Sequence, residues 1–267
     1  MRTTLLAVGC LVLLVASASD ADEIAAITRP SEDVTLSFVR SGKIAKLLVI
    51  EGAVVKTGQL LVQLDDAAER MQLVQLEAEA KDTVHIRAAE ANLKQKQVDL
   101  EKLEEAFRKK AVSKWDVEHA RLDVTIKEMS LELAKFEHEQ AALKFREAQL
   151  QLERMRMPSP IDGRVEKIVV KQGESADALE DVLRIVDIDP LWIDVPVPLA
   201  EARRLKCGDK ATVTFPNDAR PPAAGDVIHI GAVADAASDT LTVRVQLPNT
   251  EQRPAGEQVR VRFDRKQ

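Results

Sequence analysis

A run of 99 residues, from Gln59 to Met157, contains neither glycine nor proline. The chain of 267 residues holds 10 Gly and 11 Pro. Even spacing of these breakers would put about eight of them in that run. Such a stretch predicts very long helices and excludes a sandwich, a propeller or a Rossmann domain there. Apolar spacing agrees. Trp115, Leu122, Met129, Phe136, Leu143, Leu150 and Met157 recur every seven residues. Earlier, Ile86, Leu93, Leu100 and Phe107 do the same, with Leu103 on a second track. A seven-residue apolar repeat is the seam of a coiled coil. The expectation is an antiparallel hairpin over residues 66–157, with helix one at about 66–110 and helix two at about 114–156. Ser113 and Asp116 have capping-box spacing, and Val112 and Val117 can close a staple across it. The cap is worth about 1 kcal/mol, enough to place the turn. At 1.5 Å per residue each arm reaches roughly 65 Å. A second apolar line on helix two (Val117, Val124, Leu131, Phe145, Leu152, interrupted by His138) lies ~200° from the first. Opposite the seam it needs cover, either from long Lys and Glu stems or from neighbouring hairpins in an oligomer.

The amino terminus reads as a targeting segment. Met1 and Arg2 precede a 12-residue apolar run, Leu5 to Ala16, and then Ser17 and Ala18. This is the layout of a cleaved signal peptide over residues 1–18. The run is too short to span a membrane, which needs about 20 residues, and it continues past Cys10, so lipidation there is not expected. Removing Arg2 takes the formal charge from −6 to −7. An acidic chain of pI near 5.4 excludes nucleic acid as a partner. Cys207 is then the one cysteine left, so no internal disulfide is expected and a bland thiol is the natural reading.

The long insert interrupts a repeat. Ser41 to Gly52 precedes it and Asp162 to Gly173 follows it. At an offset of 121, Gly42 pairs with Gly163, Gly52 with Gly173, Lys43 with Arg164, Lys46 with Lys167 and Leu47 with Ile168. A further strand follows in each half, Gln59 to Leu64 and Asp181 to Val186. Neither half can bury its apolar face alone, so the two should pack into one β-sandwich. Its halves are residues 33–65 and 158–188. From residue 189 to 265 short alternating strands predict a small β-barrel: Trp192 to Val197, Ala211 to Phe215, Asp226 to Ile230, Thr240 to Leu247 and Gln258 to Phe263. Leu199 to Leu205 reads as a short helix.

These halves resemble those of lipoyl or biotinyl carrier domains, but the junction Leu64-Asp65-Asp66 offers no exposed lysine turn. A lipoyl-like sandwich split by a hairpin resembles the periplasmic adaptor, or membrane fusion protein, family of tripartite efflux pumps and haemolysin D-type export. The carrying segments are Glu51 to Leu61, Ser159-Pro160-Ile161-Asp162-Gly163, Thr242-Val243-Arg244-Val245 and the closing Gly256 to Phe263. The resemblance implies an α+β multidomain fold without a complete membrane-proximal domain, because only about 14 residues separate the cleavage site from Asp33 and none remain beyond the barrel. It implies no cofactor and three kinds of partner: an inner-membrane transporter (RND or ABC type), an outer-membrane channel, and other copies in a ring, a hexamer by family resemblance. Location would be the periplasm, held at the inner membrane through the pump.

The family's drug-efflux members carry Arg-x3-Leu-x6-Ser at the hairpin tip, for docking to the channel. Here Lys102 stands for the Arg, Ala106 for the Leu, and Ser113 is kept. Phe107 can substitute for the missing apolar anchor. Arg108, Lys109, Lys110 and Lys114 form a basic knot suited to an acidic partner rim, and Trp115 is the first seam layer. Catalytic motifs are absent: no Gly-x-Ser-x-Gly, no Cys-x-x-Cys and no His-Glu-x-x-His. His85, His119, His138 and His229 are scattered, and Met157 belongs to the heptad line, so Met155 and Met157 are a weak soft-metal signal. Two other classes stay open, a lipoyl or biotin carrier and a stand-alone coiled-coil spacer. The adaptor reading makes the protein a non-enzyme.

Overall fold

The computed structural model describes residues 23–216, 218 and 221–264, so the signal peptide expected at 1–18 lies outside the described residues. The first part of the chain runs β1 (Ile24–Ser37), β2 (Gly42–Leu47), β3 (Val54–Val55), β4 (Leu60–Leu64), α1 (Ala67–Lys81), α2 (Val84–Arg108) and α3 (Lys114–Glu153). Then come β5 (Arg156–Pro158), β6 (Gly163–Ile168), β7 (Ser175–Ala176), β8 (Asp181–Pro198), α4 (Leu199–Ala202), β9 (Lys210–Thr214), β10 (Ala223–Ile230), β11 (Thr240–Leu247) and β12 (Gln258–Phe263). They form two units. One is Asp33–Val186, and the other combines residues 23–32 with residues 187–264 of the described range.

In the first unit the repeat becomes a local two-fold. Ile44 N–H donates to the Glu174 carbonyl at 2.8 Å, and the Ile44 carbonyl accepts from Gly173 N–H at 2.9 Å. Its twin Val165 donates to the Ala53 carbonyl at 2.9 Å and accepts from Gly52 N–H at 2.8 Å. β2 pairs antiparallel with β4, Ile44 opposite Leu64 and Leu47 opposite Val62. β6 pairs with β8 in the matching register, Val165 opposite Ile185 and Ile168 opposite Leu183. Both ladders shift register at the equivalent place. These strands bury Ile44, Val62 and Leu64 together with Val165, Leu183 and Ile185 in one core. Burying each such side chain contributes about 1.5–3 kcal/mol, which neither half could gain alone.

The end of the long insert differs from expectation. Helix two does not run on to residue 156. α3 stops at Glu153, and β5 pairs with β4, Val62 opposite Met157 and Gln63 opposite Arg156. Met155 and Met157 are buried in the sandwich core, so Met157 is not a seam residue. A residue before proline is pushed toward extended backbone, and Pro158 does this here.

The second unit is a closed sheet. Its strand order is β1-β12-β9-β10-β11-β8, and β1 also pairs with β8. Closure removes the exposed edges that an open sheet would present. Ile193, Val195, Val213, Val243, Val245 and Val261 are fully buried inside it. The barrel expected from residue 189 onward also takes in chain from before residue 33. There β1 supplies a strand, with Ile24 opposite Val261 and Ala26 opposite Val259. Asn249 closes a corner, its side-chain N–H groups donating to the Ile188 and Arg253 carbonyls at 2.8 and 2.9 Å.

The sandwich's two-fold lapses at one turn. Gly58 has φ 81°, and its N–H donates to the Ser159 carbonyl at 2.8 Å. Its twin Leu179 makes the same bond to the Phe38 carbonyl at 2.8 Å with φ 65°. A left-handed backbone costs a residue with a side chain about 1–2 kcal/mol. Leu179 is 74% exposed, so packing offsets little of this. Leu179→Gly is expected to raise stability by about 0.5–1 kcal/mol after the added unfolded-state entropy is subtracted. Leu179→Ala, which keeps the strain, should not. Thermal melts of the two variants check this.

Candidate functional site: the helical hairpin and its tip

The hairpin starts from a fixed foot. Asp66 is buried, accepting from Gln63 Nε2 at 2.7 Å and facing Arg70 Nε at 2.9 Å. Burial pushes the Asp66 carboxyl up, but the bonds from Arg70 and Gln63 outweigh it and hold the group below its ordinary value. Where a carrier domain would present its lysine, this chain has a buried aspartate at a helix start.

Helix one is not continuous. It divides into α1 and α2 at Asp82-Thr83, where Asp82 is extended. Asp82 Oδ1 accepts from Val84 N–H at 2.8 Å, a local bond that competes with the helix. The freed Asp82 carbonyl lies 3.0 Å from His138 Nδ1 on α3. His138, an interruption in an apolar line by sequence, thus caps the break in the facing helix. Farther along, Lys96 Nζ pairs with Asp123 at 2.8 Å and Arg121 with Glu104 at 2.7 Å. These cross-helix pairs set the antiparallel register. Nothing in the spacing announced them.

The two faces of α3 are the reverse of the sequence reading. Its buried residues are Val117, Ala120, Val124 and Ala134, with Leu131, Phe145 and Leu152 half-buried on the same line. The expected seam residues Trp115, Leu122, Met129, Phe136, Leu143 and Leu150 are exposed, from 48% at Leu143 to 69% at Trp115. Both lines keep a three-four spacing, so periodicity alone does not choose between them. The inner line interleaves Val117 and Val124 with the alanines 120 and 134, which let the helices approach closely, and it leaves room for the Lys96–Asp123 pair. Bulk was the wrong guide.

The tip is a tight, doubly capped turn. Lys110 sits at φ 58°, its N–H donates to the Phe107 carbonyl at 2.9 Å, and Ala111 N–H donates to the Ala106 carbonyl at 2.9 Å. This is a Schellman ending with lysine where glycine is usual. The capping box is present: Asp116 N–H donates to Ser113 Oγ at 3.3 Å, and Ser113 N–H donates to Asp116 Oδ2 at 2.9 Å. Lys109 pairs with Glu105 at 2.6 Å and Lys114 with Glu118 at 3.2 Å. Lys102, Arg108 and Lys110 are exposed with no ion pair among the described residues. Ala106 is half-buried and Phe107 exposed. Trp115 stacks on His119 with ring centres 5.2 Å apart, a contact the sequence reading missed although the two stand one helical turn apart. Among the described residues no three His, Cys, Asp or Glu side chains gather as a metal ion would need.

The described residues thus hold a split sandwich, a long hairpin and a barrel. A family model described as RND MFP, barrel-sandwich hybrid domain, matches residues 32–198, and one described as CusB-like, beta-barrel domain, matches residues 190–267. The chain belongs to the membrane fusion protein family, the periplasmic adaptors. It is 26% identical to macrolide export protein MacA of Yersinia pestis over 217 residues, covering 79% of this chain and 58% of that protein. It is also 26% identical to the toluene efflux pump periplasmic linker protein TtgG of Pseudomonas putida over 224 residues, covering 78% and 50%. The chain therefore spans about half the length of these curated relatives. The crystal structure of MacA from Actinobacillus actinomycetemcomitans shares the fold at TM-score 0.79 and 18% identity, covering 91% of this chain and 77% of that one. The membrane fusion protein Spr0693 of Streptococcus pneumoniae does so at TM-score 0.65 and 16% identity, covering 92% and 100%.

Two outcomes test the site's geometry. Val124→Ala on the inner line should cost about 2 kcal/mol. Phe136→Ala on the outer line should change the dilute protein by about 0.5 kcal/mol or less. Urea melts of both variants read this directly. The Asp116 carboxyl lies below its ordinary value because the Ser113 hydroxyl and then the Ser113 N–H bond its charged form, against a smaller burial effect. Its folded pKa is thus depressed, so its stabilisation is full above the unfolded value near about 3.9 and is lost as pH falls through the folded value. Asp116→Asn should melt below wild type at neutral pH, with the gap narrowing in strong acid.

Proposed function

We propose that the chain is a periplasmic adaptor subunit of a tripartite efflux system, bridging an inner-membrane transporter of RND or ABC type to an outer-membrane channel. The observation that carries this is the hairpin. At 40 residues α3 rises about 60 Å, farther than a sandwich of this size is wide, and ends in a compact basic turn. The family membership supports the role, as do relatives named for macrolide export and toluene efflux. The work on this reading is spacing and docking, not bond chemistry. Location is the periplasm, reached through the signal peptide. No helix among the described residues is long and apolar enough to cross a membrane. Sandwiches of neighbouring copies form a collar, six being the number the resemblance implies, and the barrel turns toward the transporter.

The tip is the channel-docking point. Ser113 is engaged in the cap, so docking falls on Phe107 and on the basic residues Arg108, Lys109 and Lys110, whose charge steers the hairpin toward an acidic rim. Reversing charge at the end of α2 costs the hairpin little, about 1 kcal/mol at most in total. Arg108→Glu with Lys109→Glu is therefore expected to fold and accumulate normally while losing transport and cross-linking to the channel. Wild-type transport by this double variant would sink the docking role.

A further inference from the structure

We infer that Asp82-Thr83 is a built-in joint dividing the hairpin into an inner and an outer rod, and that His138 is its latch. The seam of helix one shows why a break is needed. On α1, half-buried residues fall at Glu69, Leu73, Leu76 and Ala80, a rhythm of four, three and four. On α2 the rhythm resumes at Ile86, Ala89, Leu93, Lys96, Leu100 and Leu103, again alternating three and four. From Ala80 to Ile86 is six residues, where the rhythm asks for seven. In an unbroken helix that missing residue would turn the face of α2 away from its partner by ~100°. Facing it, α3 runs unbroken over 40 residues. The mismatch is absorbed at one place. Asp82 is extended, and an extended residue rises about 3.3 Å against about 1.5 Å in a helix. It spans the height of two helical residues and makes good the missing one.

The break has a mechanical consequence. Among the described residues no backbone hydrogen bond joins α1 to α2. Asp82 N–H turns back to the Glu79 carbonyl at 3.2 Å, and Val84 N–H donates to the Asp82 carboxylate at 2.8 Å. Arg87 N–H opens the new ladder on the Thr83 carbonyl at 3.0 Å. At this height a single helical ladder, that of α3, carries the hairpin, whereas along α1 and α2 two do. Bending is therefore easiest here. His138 stands at this height on the inner line of α3, where Leu131 and Phe145, seven residues to either side, are apolar and half-buried. A carbonyl only accepts, so the 3.0 Å contact means that His138 Nδ1 carries a proton and donates it to the Asp82 carbonyl. That bond ties the joint to the facing helix. Latched, the outer rod holds one tilt. Released, it swings about the joint while the inner rod stays pinned at its foot by Asp66 and Met155. This inference rests on the hairpin alone and not on the bridging role.

Spin labels test it in the full-length protein carrying Cys10→Ala and Cys207→Ser, diluted with unlabelled protein. Gln75→Cys with Ala88→Cys places a pair across the joint, and Ala88→Cys with Lys102→Cys places one within α2. All three positions are exposed. The spread of distances across the joint should exceed that within α2, and His138→Ala should widen the first and leave the second unchanged. The same substitution should speed amide exchange over residues 80–88 about tenfold. A repaired chain supplies the converse. An alanine inserted between Asp82→Ala and Thr83→Ala restores seven residues from Ala80 to Ile86. Helix one should then run through, with a stronger helical signal and a spread across the joint reduced to that within α2. There His138 meets no open carbonyl, so His138→Leu should raise the melting temperature, whereas in the native chain it should lower it. Equal spreads across the joint and within α2 in the native chain would overturn the inference. So would an unchanged spread in His138→Ala, or a His138→Leu effect of the same sign in both backgrounds. The native-chain spreads decide the matter even if the repaired chain fails to fold.

Discussion

The pairing of β4 with β5 is the constraint on which the rest of the Asp33–Val186 unit depends. It places Val62 opposite Met157 and Gln63 opposite Arg156, joining chain positions on either side of the whole helical insert. Closing a loop of that length carries an entropic cost that grows only slowly with length. The core around Ile44, Leu64, Val165 and Ile185 offsets it, because those side chains are buried only when both halves are present. Once the feet are pinned, α1 and α3 must leave the sandwich together and run antiparallel. The buried Asp66, held by Gln63 and Arg70, stiffens the first foot, and Met155 and Met157 anchor the second.

From that foundation the hairpin separates two tasks by face. The inner line of α3 is small and partly polar, holding the helices close through Val117, Ala120 and Val124 and setting their register through Asp123 and His138. The outer line is large and wet. The inner contacts hold the hairpin together within a single copy, and the outer side chains contribute little to it. The tip is organised in the same way. Its backbone is satisfied locally by the Schellman turn and the capping box, and neither uses the side chains of Arg108 and Lys110.

Much of this was legible in the residues. The glycine pairs at an offset of 121 located both halves of the sandwich, since each opens a strand or closes a turn at a twin position. The strands Thr240 to Leu247 and Gln258 to Phe263 matched β11 and β12, because strict alternation with turn residues at both ends leaves little freedom. The capping box at Ser113 was also readable, being a local bond between residues three apart. What escaped were features that need a second segment. β1 joins the barrel through β12, with Ile24 reaching across the chain to Val261. The break at Asp82 stands because His138 meets its carbonyl from the facing helix.

By itself, then, the sequence determined the element types, the split sandwich, the long hairpin, its turn and the kind of family to expect. Those follow from local periodicity, breakers and caps, which act over a few residues. Only the tertiary structure decided which of two equally periodic lines on α3 faces inward. That choice depends on how closely two helices can approach and which polar pairs meet across them. Small residues at Ala120 and Ala134, together with Asp123 and His138, won the interior, and Leu122, Met129 and Phe136 were left to the outside.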